Sequence, residues 1–271
     1  MPERNFSPVW RWLGVILAVA VLVAFVMLTP PALLRRADYI GAAVCHRILS
    51  HSFEIEGQQL PVCQRCTGTF SGALTGLIMQ WAVLRRRRQQ GFPPLKMLLL
   101  LGFFLGMWGG DGLNSFLGMR FNNDMGMVYV PQPWLRLLTG TLVGMGMSMI
   151  LVPAFNLTLW RDGVPDPAVS EWRDFAKILA VELAMAAVIY TLEPWLLYPI
   201  SLYSVAGVLA MFVCLGAMIF VMTLGREGCC ESWRGAWVPL LWGIVFAGVM
   251  VGGMNLGRFW LTGTIDGVPT L

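Results

Sequence analysis

Three of the six cysteines and both histidines of this 271-residue chain lie between residues 45 and 66. They are Cys45, His46, His51, Cys63 and Cys66. Zinc takes four ligands, mainly from cysteine and histidine, and one Cys-x-x-Cys pair commonly supplies two of them. The cluster therefore predicts a zinc-thiolate site in which Cys63 and Cys66 share the ion with Cys45 and one histidine. The spacing favours His51, because Cys45 and His46 diverge by about 100° on a helix.

The Cys63-x-x-Cys66 pair also suits thiol–disulfide chemistry. It stands at the predicted start of a helix, where the helix dipole stabilises a thiolate, and Arg65 adds positive charge. A membrane thiol–disulfide oxidoreductase, coupled to a quinone, is therefore an alternative function. A static disulfide or ordinary buried thiols is the third interpretation.

The segment between the two halves of the cluster, residues 53–60, alternates apolar and polar side chains around Gly57. This pattern is typical of a small hairpin or a tight loop. We expect it to bring Cys45 and a histidine back to the Cys-x-x-Cys pair.

Further polar residues are expected on the same face as the cysteines. Asp111 and Asn114 lie at the end of the third apolar segment and Arg136 at the start of the fourth. Asp111 is either a structural residue, which caps the helix end or pairs with Arg136, or a functional one. The functional roles are a fourth ligand, a hydrogen-bond partner of a ligating histidine, or a general base beside a metal-bound water. The last role would make the protein a zinc-dependent membrane hydrolase. The candidate catalytic residues are Asp111, Cys63 and Cys66, and the candidate supporting residues are Arg65, Asp111, Asn114 and Arg136.

The composition excludes a soluble or disordered protein. Hydrophobic residues make up 57% of the chain and charged residues 13%, and the mean hydropathy is +0.67. Soluble chains carry roughly 25% charged residues, and disordered ones are poor in aromatics. The net charge of +4 comes without a large basic surface, so no nucleic-acid partner is expected. The expected partner is the lipid bilayer, together with a larger membrane complex.

About seven segments are apolar over the roughly 20 residues that a membrane-spanning helix needs. The break at residues 193–195 is tight, so six spans are an alternative. The first segment lacks a small-x-small cleavage site at residues 29–31 and is predicted to be a retained helix. The predicted spans are 11–30, 62–84, 95–117, 134–156, 174–193, 199–224 and 236–260. The fold class is therefore an all-α polytopic membrane bundle.

The distribution of lysine and arginine predicts that the N-terminus is inside. Cytoplasmic segments tend to be richer in these residues. With the N-terminus inside, twelve of the 19 fall on the cytoplasmic face and seven on the other. The run at residues 85–88 decides this difference. The Cys/His loop is then extracytoplasmic, in the cytoplasmic membrane of a prokaryote.

Glycine stripes and one carboxyl group lie within the predicted spans. Glycines repeat every four residues on the second, third and fourth spans, and such stripes let helices approach closely in lipid. We therefore expect these three spans to form the tight core beneath the site. Glu182 lies halfway along the fifth span, where carboxylates often mark proton or ion paths, although a structural hydrogen bond is also common. The stripes are Gly68, Gly72 and Gly76, then Gly102, Gly106 and Gly110, then Gly140 and Gly144.

The motifs resemble those of the domain of unknown function 2085, a family of small prokaryotic membrane proteins. The resemblance covers about residues 37–144, through Cys-His-Arg, Pro-Val-Cys-x-Arg-Cys-Thr-Gly, an Asp-Gly-Leu helix end and an Arg-x-x-Thr-Gly helix start. It implies a polytopic fold and no particular activity. It favours His46 as the ligand, since the family more often has arginine at the position of His51. The family's marked positions correspond to Cys45, His46, Cys63, Cys66, Asp111 and Arg136.

These observations divide the chain into a four-helix core that carries the Cys/His loop, residues 1–158, and three further membrane helices, residues 159–271. We expect a metal site with a structural, assembly or transport role rather than a catalytic one.

Overall fold

The computed structural model describes residues 6–121 and 125–265. In these two ranges the chain forms eight α-helices and four short strands. The helices are α1 Pro8–Leu28, α2 Leu33–Val44, α3 Gln64–Ile78, α4 Leu95–Phe121, α5 Pro133–Leu159, α6 Trp172–Tyr190, α7 Leu197–Thr223 and α8 Trp237–Thr262. The strands are β1 Ser52–Ile55, β2 Gln58–Cys63, β3 Gln89–Gly91 and β4 Val164–Pro167.

The predicted all-α polytopic bundle is confirmed. Five helices are long and apolar enough to cross a membrane, namely α1, α4, α5, α7 with the turn before it, and α8. The other two predicted spans are also helices, α3 and α6. However, α3 has only 15 residues before one π-helical turn, and α6 carries four charged side chains within 19 residues. The chain does break between α6 and α7, at a 3₁₀ turn that begins at Pro194.

The cysteine-bearing helix α3 lies inside the bundle, packed against α5, α6 and α7. Glycines allow its backbone to touch that of α5. A Cβ atom on Gly68 would lie 2.3 Å from the carbonyl oxygen of Leu137, and one on Gly140 would lie 2.2 Å from that of Arg65. The predicted close packing of these two glycine stripes is confirmed. Because neighbouring helices surround α3, its polar side chains do not face lipid.

The predicted packing role of the glycine stripe on α4 is wrong. Added Cβ atoms on Gly102, Gly106 and Gly110 would meet no heavy atom within 4 Å among the described residues. Helix α4 lies at the edge of the bundle and contacts α5 through a different face, which includes Met97, Leu101 and Phe104. A four-residue spacing places glycines on one face of a helix, but it does not determine which way that face points.

The sequence pattern did not predict two features of the fold, because both are short. Helix α2 has 12 residues, too few to cross a membrane, and it leads directly into the Cys/His loop. Strands β3 and β4 form a two-stranded parallel pair beyond the far end of α3. Short elements of this kind have no long apolar run by which a sequence pattern can reveal them.

Candidate metal site

Three thiols converge where α2, the β1–β2 hairpin and α3 meet. The sulfur atoms of Cys45, Cys63 and Cys66 all lie within 4.8 Å of one another. Cys45 directly follows α2, Cys63 ends β2, and Cys66 lies in the first turn of α3. Cys45 and Cys63 are buried and Cys66 is half-buried. The structure thus brings together the three cysteines that were expected to share one site.

The hairpin between them is present, as the alternating pattern predicted. Strands β1 and β2 are antiparallel, with Ser52 opposite Cys63. Glu56 and Gly57 at the turn both have positive φ angles, 52° and 74°. This combination is typical of a type I′ turn, whose twist matches that of the flanking strands. The hairpin returns the chain from the end of α2 to the start of α3.

Close packing of α2 on the hairpin holds Cys45 in place. A Cβ atom on Gly41 of α2 would lie 2.0 Å from the carbonyl oxygen of Pro61, so this contact requires glycine. The backbone N–H of Cys63 donates to the sulfur of Cys45 at 3.1 Å. Hydrogen bonds from the thiols of Cys63 and Cys66 hold the pKa of Cys45 well below its ordinary value. Cys45 is therefore the sulfur best prepared to carry negative charge.

Neither histidine joins the three-sulfur cluster. The Nδ1 atom of His46 accepts a hydrogen bond from the backbone N–H of Ile48 at 3.1 Å. This bond uses one ring lone pair and leaves the proton of a neutral imidazole on Nε2, so His46 would have to give up the bond to ligate through Nε2. His51 is buried in the 3₁₀ turn after Ile48, with its ring 5.7 Å from that of His46. The cluster as it stands therefore offers three protein ligands.

Asp111 accepts hydrogen bonds from two other side chains, those of Arg65 and Tyr129. It is 3% exposed on α4 and forms an ion pair with Arg65, whose Nε donates to Oδ2 at 3.1 Å. The hydroxyl of Tyr129 donates to Oδ1 at 2.7 Å. Burial and this hydrogen bond raise the pKa of Tyr129 to about 12. Both carboxylate oxygens of Asp111 are thus occupied, by groups other than a histidine.

The other two supporting residues connect α3, α4 and the loop before α5. Arg136 is buried and donates to Gln64 at 3.3 Å and to Ser115 at 3.4 Å. Asn114 donates through Nδ2 to the carbonyl of Tyr129 at 2.8 Å. The polar ends of α3, α4 and α5 therefore meet on one face, as expected from the alternating direction of the helices.

Arg258 and Tyr129 are two site residues that the sequence analysis missed. Arg258, near the end of α8, donates to the backbone carbonyls of Ala42, Cys45 and His46 at 2.6 to 2.8 Å. Carbonyls at the C-terminal end of a helix lack partners within the helix, and a cation there is favourable. Arg258 is one of the seven arginines that the charge distribution predicts on the face of the Cys/His loop, which is the indication that the sequence offers.

Three adjacent thiols can bind a thiophilic metal ion or exchange disulfides. Soft thiolate ligands favour zinc, copper(I) and iron–sulfur clusters. Cys45, Cys63 and Cys66 are present as thiols, with no disulfide among them. Asp111 would have to leave Arg65 or Tyr129 before acting as a general base or a metal ligand. The arrangement thus supports metal binding or thiol exchange more directly than hydrolysis.

Comparison with known proteins confirms the family resemblance over part of the chain. Residues 45–150, less than half of the chain, match the family described as "Predicted membrane protein (DUF2085)". An uncharacterized protein of Methanothermobacter thermautotrophicus is 28% identical over 107 residues, which are 40% of this chain and 83% of the relative. An uncharacterized protein of Methanocaldococcus jannaschii is 26% identical over 125 residues, which are 45% and 70% of the two chains. No solved structure matches the chain.

Proposed function

We propose that the protein is an integral membrane protein that binds one zinc ion through Cys45, Cys63 and Cys66, and that the ion has a structural role. The observation that carries this proposal is the meeting of the three sulfurs within 4.8 Å, each from a different element. Zinc–sulfur bonds of about 2.3 Å separate the sulfurs of a tetrahedral site by about 3.8 Å. The cysteines therefore need only a small adjustment to bind the ion.

A structural role follows from what the ion would connect. It would join the end of α2, the end of β2 and the first turn of α3, which otherwise meet through the Gly41–Pro61 contact and the hydrogen bond to Cys45. The fourth ligand would be a water molecule or a histidine that gives up its present contacts. Because both oxygens of Asp111 are engaged, this carboxylate is not ready to activate such a water, and we do not favour a hydrolase.

We place the site on the extracytoplasmic face of a prokaryotic cytoplasmic membrane. The run at residues 85–88 lies beyond the opposite end of α3 and favours the cytoplasmic side there. Both relatives named above come from archaea, which supports a prokaryotic source. A metal-braced outer loop also suits docking within a larger membrane complex.

A second candidate is a thiol–disulfide oxidoreductase that uses Cys63 and Cys66. It is favoured by the half-buried position of Cys66 and by the short distance between the thiols. On the extracytoplasmic face, the cysteines would meet an oxidising compartment, in which disulfides form and persist.

Replacing Cys45 by serine separates the two candidates. For a structural zinc site, we expect Cys45→Ser to lose most of its bound zinc and to melt at a lower temperature, because one of the three thiolates is gone. For an oxidoreductase, the Cys63–Cys66 pair should still cycle between thiols and a disulfide in the same variant. Zinc content and the redox titration are measured on one detergent-purified preparation. Cys214→Ala, a buried cysteine in the middle of α7, is the matched control.

A further inference from the structure

Glu182 is a carboxyl group buried in the middle of the bundle, away from the cysteine site. It lies halfway along α6 and has 0% of its surface exposed. Neither of its carboxyl oxygens has a hydrogen-bond partner among the described residues. A buried polar group without a partner is rare in folded proteins and calls for an explanation.

The side chain faces the glycine stripe of α3. A Cβ atom on Gly72 would lie 3.2 Å from Oε2 of Glu182, and one on Gly76 would lie 3.4 Å from Oε1. The same Cβ atom on Gly76 would lie 2.0 Å from the hydroxyl oxygen of Ser148 on α5. This hydroxyl accepts a hydrogen bond from Gln80 at 3.1 Å. The glycines therefore leave room for a small polar cluster around the carboxyl group.

No opposite charge compensates this carboxyl group within the described residues. On its own helix, Lys177 lies five residues before Glu182 and pairs with Asp174 at 2.8 Å. The charged and thiol groups of α3 and α5 lie in the first turns of those helices, at Arg65, Cys66 and Arg136. The titratable group that approaches from α7 is Tyr203, whose hydroxyl shares a hydrogen bond of 2.8 Å with Thr75.

From this geometry we propose that Glu182 is a proton-binding site inside the membrane bundle. Burying a carboxylate without solvent, a cation or hydrogen-bond donors costs far more free energy than burying the neutral acid. Glu182 therefore holds a proton at pH 7. The buried side chains of Ser148 and Gln80 are its polar neighbours. We expect the proton on Glu182 to be exchangeable, as proton-coupled transport requires. The proposal is independent of the metal site.

Infrared spectroscopy on the lipid-reconstituted protein tests this inference, through the difference between the spectra of wild type and Glu182→Gln. We expect the wild-type protein at pH 7 to show a carbonyl band of a protonated carboxylic acid, and Glu182→Gln to lack it. Transfer to D₂O should shift the band, since the proton exchanges. The exposed residue Glu193, after α6, provides the matched control, because Glu193→Gln should keep the band.

Labelling wild-type protein with ¹³C-carboxyl glutamate keeps the test decisive if Glu182→Gln fails to fold. The isotope should shift the protonated band, which assigns it to glutamate, and the other described glutamates are exposed or half-buried. The absence of a protonated glutamate band at pH 7 would overturn the proposal, and a carboxylate band that shifts with Na⁺ would assign the site to a metal cation instead. A protonated band that D₂O never shifts would also overturn it, because the acid would then be static.

Discussion

The guanidinium of Arg258 donates a hydrogen bond to the backbone carbonyl of Cys45 at 2.6 Å, across 213 residues of chain. Cys45 is one of the three clustered thiols, and Arg258 lies near the end of the last helix. Arg258 is outside residues 45–150, the part of the chain that matches the family. The site is therefore supported by a residue that the family match does not include.

Replacing Arg258 by methionine is expected to weaken the site without removing a thiol. The variant loses three hydrogen bonds from a charged donor and leaves carbonyls of Ala42, Cys45 and His46 unpaired. One such bond contributes roughly 1.5–3 kcal/mol when buried. Arg258 is only half-buried, so we expect the three bonds together to lower the free energy of unfolding by about 3 kcal/mol. Denaturation in detergent, with and without zinc, measures this change. Arg234→Met, at an exposed position before α8, should cost far less, and equal losses in the two variants would contradict the assignment.

Asp111→Asn is expected to lower stability while leaving the metal content unchanged. The substitution removes the charge that pairs with Arg65, and breaking a buried ion pair costs about 3–5 kcal/mol. Tyr129→Phe removes only one hydrogen bond to the same carboxylate and should cost about 1 kcal/mol. Melting curves and zinc content are compared with those of Asp166→Asn, an exposed control. A loss of zinc in Asp111→Asn would instead identify Asp111 as a ligand.

Gly140→Ala should separate α3 from α5 and disturb the first turn of α3. The added methyl group would lie 2.2 Å from the carbonyl oxygen of Arg65, and overpacking of this kind costs about 1–3 kcal/mol. Gly106→Ala on α4 is the matched control, since its methyl group would have no neighbour within 4 Å. Thermal denaturation of the two variants should show a lower melting temperature for Gly140→Ala alone. A similar decrease for Gly106→Ala would mean that α4 is packed more closely than the structure shows.

Tyr129 makes stability sensitive to alkaline pH. Its pKa is raised to about 12 from the ordinary value of 10.0, chiefly by burial and then by the hydrogen bond to Asp111. The folded state favours the neutral phenol, so its stabilising effect is complete below about pH 10 and is lost as the pH approaches about 12. Ultraviolet absorbance of tyrosinate in wild type and Tyr129→Phe should differ only near pH 12. A difference already complete at pH 10 would contradict the hydrogen bond to Asp111.

The sequence predicted features that depend on local spacing. The hairpin follows from alternation around Gly57, and the position of Asp111 on the face of the cysteines follows from the direction of successive helices. The three clustered cysteines lie within 22 residues, so a single short hairpin is enough to bring them together.

Other features depended on information that spacing does not carry. The contact of Arg258 with Cys45 joins distant segments, and no periodic pattern connects them. The glycines of α4 and α5 have the same spacing, yet only those of α5 face α3. The hydrogen bond to Nδ1 of His46 depends on the local backbone after Cys45, where Arg47 has a φ angle of 53°, and residue types alone do not determine it.

The most direct test of the metal site is zinc stoichiometry by mass spectrometry on detergent-purified protein, with free thiols counted in the same sample. Cys214, Cys229 and Cys230 are first replaced by alanine, so that every counted thiol belongs to the cluster. We predict about one zinc per chain, three thiols protected until a chelator is added, and loss of zinc on replacing Cys63 or Cys66. A protein without zinc, in which Cys63 and Cys66 cycle between thiols and a disulfide, would contradict the zinc site and favour thiol exchange.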